Sequence, residues 1–417
     1  MFYLLPHQLF LPPKSERSVV LWEHPDFFTK YRFNKKKLLL HRASMRAHAD
    51  MLRGKGVRVR YVNFDADHTV AKKAVLYDPI HDMPEFAHAQ VLDSPNFLCA
   101  RTDLDKIYRE KFGKDSMRFT TYFYPRVKAI VGVLERVSSK DAQNRKAYRG
   151  APEVPPLPKG ESPQNKYVAE ARRYVNGKFV DNPGHTKDFV YPIDRPTALA
   201  WLRHFVKHRL EHFGPYQDWI AREEPWMFHS VLSSSLNIGL LRPDEVVRAI
   251  VESAAPIASV EGYVRQLIWR EYQRYCYVYL RDVFRKRNRF DTNAPLTKAW
   301  YDGTTGVLPV DACVKKAFDT GYLHHIERLM VMGNFMLLSE IRREEGFKWF
   351  MEFAIDSYEW VMYQNVYDMV FFSTGGKTTH KAYITSSNYV RKMSDYPKGE
   401  WTDEWDRMYR AFKKRHF

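Results

Sequence analysis

Three polar clusters set into otherwise apolar stretches define the chemistry open to this sequence. In TGYLHHIERLMVMGNF, residues 320–335, His324 and His325 are adjacent and Arg328 follows four and three residues on. At helical spacing one face then carries imidazole and guanidinium together. A pocket histidine can give a proton to a leaving oxygen because its pKa lies near neutrality; two satisfied core histidines are the plainer alternative. In HSVLSSSLNIGLL, residues 229–241, Ser233, Ser234 and Ser235 would offer hydroxyls and N–H groups to a phosphate or pyrophosphate at a helix start or tight turn. The same serines would equally serve as helix caps. In YVRQLIWREYQRY, residues 263–275, Gln266 and Trp269 are three apart. That places an amide able to bond a base edge beside a ring able to stack on one, although a tryptophan on an apolar face is more often core.

All three clusters lie in the second half of the chain. From about residue 195, the runs TALAWLRHFVKHRLEHF, PDEVVRAIVESA, YVRQLIWREYQRYCYVYLRDVF and FKWFMEFAIDSYEWVMYQNV repeat apolar residues at spacings of three and four. This predicts helices throughout. In the first half, VVLWE at 19–23 and VRVRYV at 57–62 bracket the helical pattern KKKLLLHRASMRAHADMLRGKG, which reads as a βαβ unit. No glycine follows the first apolar run, so the dinucleotide fingerprint is missing. Residues 138–165, rich in Pro, Gly, Ser and charge, read as a linker or a wrapped surface loop. The expected organisation is an α/β domain over 1–135, a connection over 136–194 and a helical domain over 195–417. No period of 20–50 residues repeats, which disfavours a solenoid.

Composition narrows the partners. Sixty-six Lys and Arg against 49 Asp and Glu give a net charge of +17 over 417 residues, a field that gathers polyanions. Nucleic acid is the first partner to expect, with Arg285, Lys286 and Arg287 in RDVFRKRNRF and Lys377 and Lys381 in KTTHK as candidate phosphate contacts. Three scattered cysteines, Cys99, Cys276 and Cys313, support neither a disulfide framework nor a cysteine-built zinc site. The opening MFYLLPHQLFLPP is too short, and too soon broken by proline, for a signal peptide or a membrane span. A soluble intracellular protein without a membrane partner is expected.

Together these clusters resemble the photolyase/cryptochrome family. Residues 300–329, WYDGTTGVLPVDACVKKAFDTGYLHHIERL, are similar to its W-x-x-G-x-T-G, V-D-A and G-x-x-H-x-x-x-R pattern, carried here by Trp300, Gly303, Thr305, Gly306, Val310, Asp311, Ala312, Gly321, His324 and Arg328. LIWREY at 267–272 and SVLSSSL at 230–236 match two further family segments. FVYPIDR, FGPYQDWI, GYLHHIERLMVMGNFMLL, DSYEWVM and SSNYVRKMSDY resemble the prokaryotic (6-4) photolyase branch, strongly over 189–396 and weakly over 1–130.

The resemblance implies the photolyase fold: an α/β N-terminal domain with a parallel, Rossmann-like sheet and an all-α C-terminal domain that binds FAD. It implies light-dependent repair of UV-damaged DNA by a monomer with no obligate protein partner. Gln266 and His325 stand where this branch has Gln and His and the commonest cyclobutane-dimer class has Glu and Asn, so (6-4) photoproducts are the expected lesion. Returning a hydroxyl or amine between the two bases needs an acid, whereas a cyclobutane ring opens once an electron arrives. By the same matching, His325 is the proton donor with His324 orienting it. Gln266, Trp269 and Trp300 hold the flipped lesion. Ser230, Leu232, Ser233, Arg328 and Asp356 contact FAD, and Trp349, Tyr301 and Trp360 carry electrons.

Departures accompany the match. The branch's iron–sulfur cysteines are missing: Pro309 holds the upstream position and PKGEWTDEWDRMY follows Tyr396, so neither a cluster nor any other metal is expected. Phe350 replaces an oxidisable aromatic of the relay, which leaves routes through Trp360 or Tyr358 open. The antenna, ribityllumazine-like or none, is unsigned. A cyclobutane-dimer photolyase and a cryptochrome-like blue-light receptor are the alternatives.

Overall fold

The computed structural model describes residues 1–111, 117–159 and 165–417. Near the N-terminus, short apolar runs form strands β1 (Phe2–Leu4) and β2 (Ser18–Trp22), followed by helix α1 (Lys35–Gly54) and strands β3 (Arg58–Val62), β4 (Val75–Tyr77) and β5 (Gln90–Leu92). They make one parallel sheet in the order β3-β2-β1-β4-β5. The predicted βαβ unit is β2-α1-β3. The opening apolar stretch, read above only against a signal peptide, supplies the central strand, and Phe2, Leu4, Val19 and Leu21 are fully buried. A strand covered on both faces loses the polar alternation that would have marked it.

Helix α1 starts where the Asn34 side chain accepts from Lys36 N at 2.9 Å. Helices α2 (Arg101–Lys111), α3 (Tyr124–Val131) and α4 (Lys166–Lys178) follow. Helix α4, inside the stretch expected as a connection, packs on α1. There Arg42 of α1 pairs with Glu23 at 2.8 Å and with Glu170 of α4 at 2.6 Å. Residues 138–159 form a strap along the helical region: Lys140 N donates to Glu261 Oε2 and Asn144 Nδ2 to Ala258 O. The rest of that segment, 160–164, lies outside the described residues, as do 112–116 within the first expected domain.

The second half is helical, as the spacing predicts: α5 (Arg195–His208), α6 (Leu210–Tyr216), α7 (Ser233–Asn237), α8 (Pro243–Val251), α9 (Ile257–Lys286), α10 (Ala299–Asp302), α11 (Leu308–Thr320), α12 (Asn334–Leu338), α13 (Arg343–Phe353), α14 (Glu359–Met362), α15 (Ser387–Lys392) and α16 (Glu400–His416). Two segments, Glu327–Gly333 and Tyr363–Val370, are wound as π-helix. They approach so closely that a Cβ on Gly333 would lie 2.6 Å from Val370 Cγ2. The 30-residue α9, about 45 Å long at 1.5 Å per residue, is the axis of this half.

The crevice beyond the carboxyl ends of β1 and β4 is where an open α/β sheet usually takes a ligand. Here the rings of His7, Phe27, His81 and Tyr358 stand 4.6–6.3 Å apart across it, with Tyr358 contributed by the helical half. Among the described residues, no helix is long and apolar enough to cross a membrane.

Candidate active site

Side chains from all three clusters meet in one cavity of about 490 Å³, within the roughly 300–1,000 Å³ span of small-molecule sites. Its walls include Gln266, Trp269 and Arg270 from the first half of α9, Ser230, Leu232 and Ser233 from the serine segment, and His324, His325 and Arg328 from the double-histidine segment. Asp356 closes one side. Sequence spacing could not bring these segments together; the packing of α6, α14 and the second π segment against α9 does so.

One wall is a chain of charge-assisted contacts. Arg328 Nη2 donates to both oxygens of Asp356 at 3.0 and 3.2 Å, and its Nε to Leu323 O at 2.7 Å. Asn237 Nδ2 donates to Asp356 O at 2.8 Å, and Arg270 Nε to Asn237 Oδ1 at 3.0 Å. Burial lowers the Arg270 guanidinium to about 10, still well above neutrality, so the wall carries two fixed cations. Close by, Tyr263 donates to Ser230 Oγ at 2.9 Å. Val231, beside it, has φ +54°, a left-handed conformation that a β-branched residue rarely adopts and that the surrounding packing must enforce. Ser234 Oγ and Ser235 Oγ, both buried, have no protein partner.

The opposite wall holds the histidines. They are not mid-helix: Gly321, at φ +75°, ends α11, His324 lies in the turn that follows, and helix resumes only at His325. His324 is buried and stacks on His229 with centroids 4.9 Å apart and planes 19° from parallel. Burial and the neighbouring imidazoles hold His324 well below its ordinary pKa, so the ring is neutral. Its Nδ1 accepts from Ile326 N at 3.3 Å, which leaves the proton on Nε2. Glu327 Oε2 accepts the His324 backbone N–H at 3.1 Å; its other oxygen is held by Lys316. His325 is more open, its side chain 38% exposed, and its Nε2 lies 3.1 Å from Asp218 Oδ1. A carboxylate only accepts, so Nε2 carries a proton and Nδ1 is the nitrogen left free to exchange one.

Nitrogens of His229, His324 and His325 lie within 4.8 Å of one another. The near-parallel rings of His229 and His324 confine their in-plane lone pairs to separate, nearly parallel planes, so a metal shared by both would require one ring to turn.

Other expected residues fall elsewhere. Trp300, expected as a second lesion wall, is not part of the cavity lining; its ring packs on Phe335 at 5.8 Å and its carbonyl accepts Trp349 Nε1–H at 2.7 Å. Trp349 is fully buried one ring behind Phe350, which does line the cavity. Trp360 sits under Arg270 at 4.8 Å, and Tyr301 lies beyond Phe318. Arg285, Lys286 and Arg287 do not flank the cavity: they are exposed at the far end of α9, about 28 Å along the axis from Gln266. Arg343 caps that end by donating to the carbonyls of Phe284 and Arg285 at 2.8 and 2.7 Å. Lys377 and Lys381 are nearer, because Lys377 O accepts from Met117 N, two residues from Phe119 at the cavity edge. Sequence reasoning missed Asn237, Asp218, Tyr263 and Arg145. All but Tyr263 lie outside the α9 pattern, and Arg145 reaches the cavity from the strap.

A parallel sheet joined to a helical half whose cavity carries several arginines, serine hydroxyls and paired histidines defines a class of nucleotide-cofactor protein. Residues 4–82 and 78–191 match the family model of deoxyribodipyrimidine photo-lyase-related proteins, and residues 263–416 match the FAD binding domain of DNA photolyase. A (6-4) photolyase of Agrobacterium fabrum is 30% identical over 422 residues, covering 92% of this chain and 82% of that protein. Solved structures with the same fold include a bacterial class III photolyase from Agrobacterium tumefaciens, at TM-score 0.64 and 16% identity over 99% of this chain and 97% of that one. The Synechocystis sp. PCC6803 cryptochrome matches at TM-score 0.62 and 15% identity over 99% and 88%. The chain belongs to the photolyase/cryptochrome family.

The cavity suits FAD on its own evidence. The cationic wall and the Ser230 and Ser233 hydroxyls beside it fit a diphosphate, and Leu236, Met362, Val366 and Met369 offer an apolar bed for a fused ring.

Proposed function

We propose that this protein is a light-dependent DNA repair enzyme of the (6-4) type, working as a soluble monomer on UV-damaged DNA. FAD, when bound and reduced, supplies the light-driven electron. Ser230, Leu232, Ser233, Arg328 and Asp356 would hold it. Gln266 and Trp269 form the lesion side of the cavity, the amide reading a base edge and the indole giving it a face to stack on. Lys377, Lys381 and Arg145 would contact flanking phosphates.

The observation that carries this reading is the pairing of His325 with Asp218 in the same cavity as Gln266. Asp218 fixes the ring and balances its positive form, so His325 gives a proton through Nδ1 to the oxygen or nitrogen leaving the damaged base. Buried neutral His324 is ill suited to act as an acid and instead orients the site. A cyclobutane dimer needs no such donor.

Replacing His325 with Ala tests this. The variant should keep its flavin and its lesion binding and lose (6-4) repair by about two orders of magnitude or more, the typical share of a positioned acid. Unchanged repair would remove His325 from the mechanism.

A further inference from the structure

The charged residues of the cavity are gripped from behind by two buried side chains of the α/β half. Behind Arg270 is Asn96, in the loop between β5 and α2 and 3% exposed. Its Oδ1 accepts from Arg270 Nη2 at 2.7 Å, its carbonyl accepts from Arg270 Nη1, and its Nδ2 donates to Asn237 O at 3.5 Å. Behind Asp356 is Lys37, buried on α1. Its Nζ donates to Ser357 O and lies 4.4 Å from the ring centre of Phe33 and 4.8 Å from that of Tyr358. One turn further along α1, His41 Nε2 meets Tyr358 OH at 2.8 Å, and Tyr31 donates to Glu359 Oε1 at 2.8 Å. The three residues that follow Asp356 are therefore each held by the α/β half. Asn237, bonded both to Arg270 and to Asp356 O, joins the two grips into one network. Neither Asn96 nor Lys37 lines the cavity.

Packing alone does not call for an amine at position 37. A methionine would fill the same space against the two rings, and a buried amine costs free energy unless partners compensate it. Here Asp356 and Glu359 supply the opposing charge and Ser357 O the acceptor. A hydrogen bond fixes direction where apolar contact does not, so the turn is held with Asp356 facing Arg328. Burial lowers the Lys37 ammonium to about 7. Of the groups around it, burial holds His7, His41 and His81 neutral and raises the phenols of Tyr31 and Tyr358. Lys30, beside Asp26, is paired with Glu359 at 2.8 Å. Lys37 is then the member that changes charge near neutrality, and its charged form makes the stronger bond to Ser357.

We infer that Lys37 and Asn96 are positioning residues for the cofactor: without touching it, these two side chains of the α/β half fix Asp356 and Arg270 and so set how tightly the helical half holds its flavin. The inference rests on FAD occupying the cavity and adds the part of the chain that lies outside the matched FAD binding domain.

The test uses full-length, flavin-loaded protein and obtains the FAD dissociation constant from the rise in flavin fluorescence on dilution. Lys37→Met keeps the apolar stem and removes the amine. It should keep the far-ultraviolet circular dichroism of the wild type and raise the constant about tenfold or more, the share of one hydrogen bond to a charged group. Lys37→Gln, an uncharged donor, should fall between and serves if the methionine variant does not fold. Asn96→Ala should weaken FAD by a similar factor. In the wild type the amine loses its proton as pH rises through about 7, so the constant should rise from about pH 6 to about pH 8, and Lys37→Met should lose that rise. A role confined to stability would lower the thermal midpoint and leave the rise in place. An unchanged constant in either folded variant, or the same pH dependence in Lys37→Met as in the wild type, would overturn the inference. Wild-type protein that takes up no FAD would instead overturn the flavin assignment beneath it, which keeps the two failures apart.

Discussion

Arg328 shows how much a single residue carries. Its side chain is 17% exposed and pairs with an Asp356 that is 9% exposed, so Arg328→Ala would leave a carboxylate facing the cavity without its counter-charge. We expect that variant to fold yet purify with little or no flavin; a fully yellow preparation would contradict the assignment of this wall. At this scale the sequence was partly legible. Histidine, glutamine, tryptophan and serine inside apolar patterns are anomalies that ask for a partner, and His324, His325, Gln266, Trp269 and Ser233 all reach the cavity. Asp218 and Asn237 were invisible because nothing local distinguishes them; their partners lie 107 and 33 residues away at His325 and Arg270. Trp300 misled for the opposite reason: a tryptophan in a matching motif is also a good core residue.

Among the elements, the π-helical segments Glu327–Gly333 and Tyr363–Val370 of the helical half help set the shape of the cavity. Apolar spacing reads the same through an α- or a π-wound stretch, so TGYLHHIERLMVMGNF looked like one helix that begins before His324. The break at Gly321 is a left-handed glycine cap whose N–H bonds Ala317 O and closes α11, whereas the tight contact of Gly333 with Val370 is a consequence of tertiary packing. Val370 also lines the cavity. Gly333→Ala should therefore force the segments apart, costing about 1–3 kcal/mol as overpacking does, and should weaken flavin retention with it. A thermal unfolding midpoint equal to that of the wild type would show that this approach is not tight. Helix α4 was hidden by its setting, since its pattern follows directly on a Pro- and Gly-rich strap.

For the whole molecule, the joint between the α/β and helical halves depends on neutral histidines. Burial holds His7 and His41 well below the ordinary value and lowers His81 to about 3 and His48 to about 4. His41 Nε2 lies 2.8 Å from Tyr358 OH across the joint. A depressed histidine pKa means that the unfolded chain binds more protons, so the stability is fully present above about pH 6.5 and is lost as pH falls toward the folded value. Each such group costs about 2 kcal/mol by pH 5. The buried carboxyls of Glu23, Glu271 and Glu352, raised by burial, act in the opposite direction. A His81→Phe variant should thus lose less stability than the wild type between pH 7 and 5, and equal losses would contradict this. The two-part organisation was readable from the change of period near residue 195, whereas this histidine-lined joint was not, because its members come from five separate segments.

The central claim is that one cavity joins a flavin to a damaged base and a histidine acid. It is tested most directly by illuminating the reduced protein with two oligonucleotides in separate reactions, one carrying a (6-4) photoproduct and one a cyclobutane dimer. Restoration of the (6-4) lesion, with the dimer left intact, is the result expected. Restoration of the dimer alone, or of neither lesion by flavin-loaded protein, would contradict it.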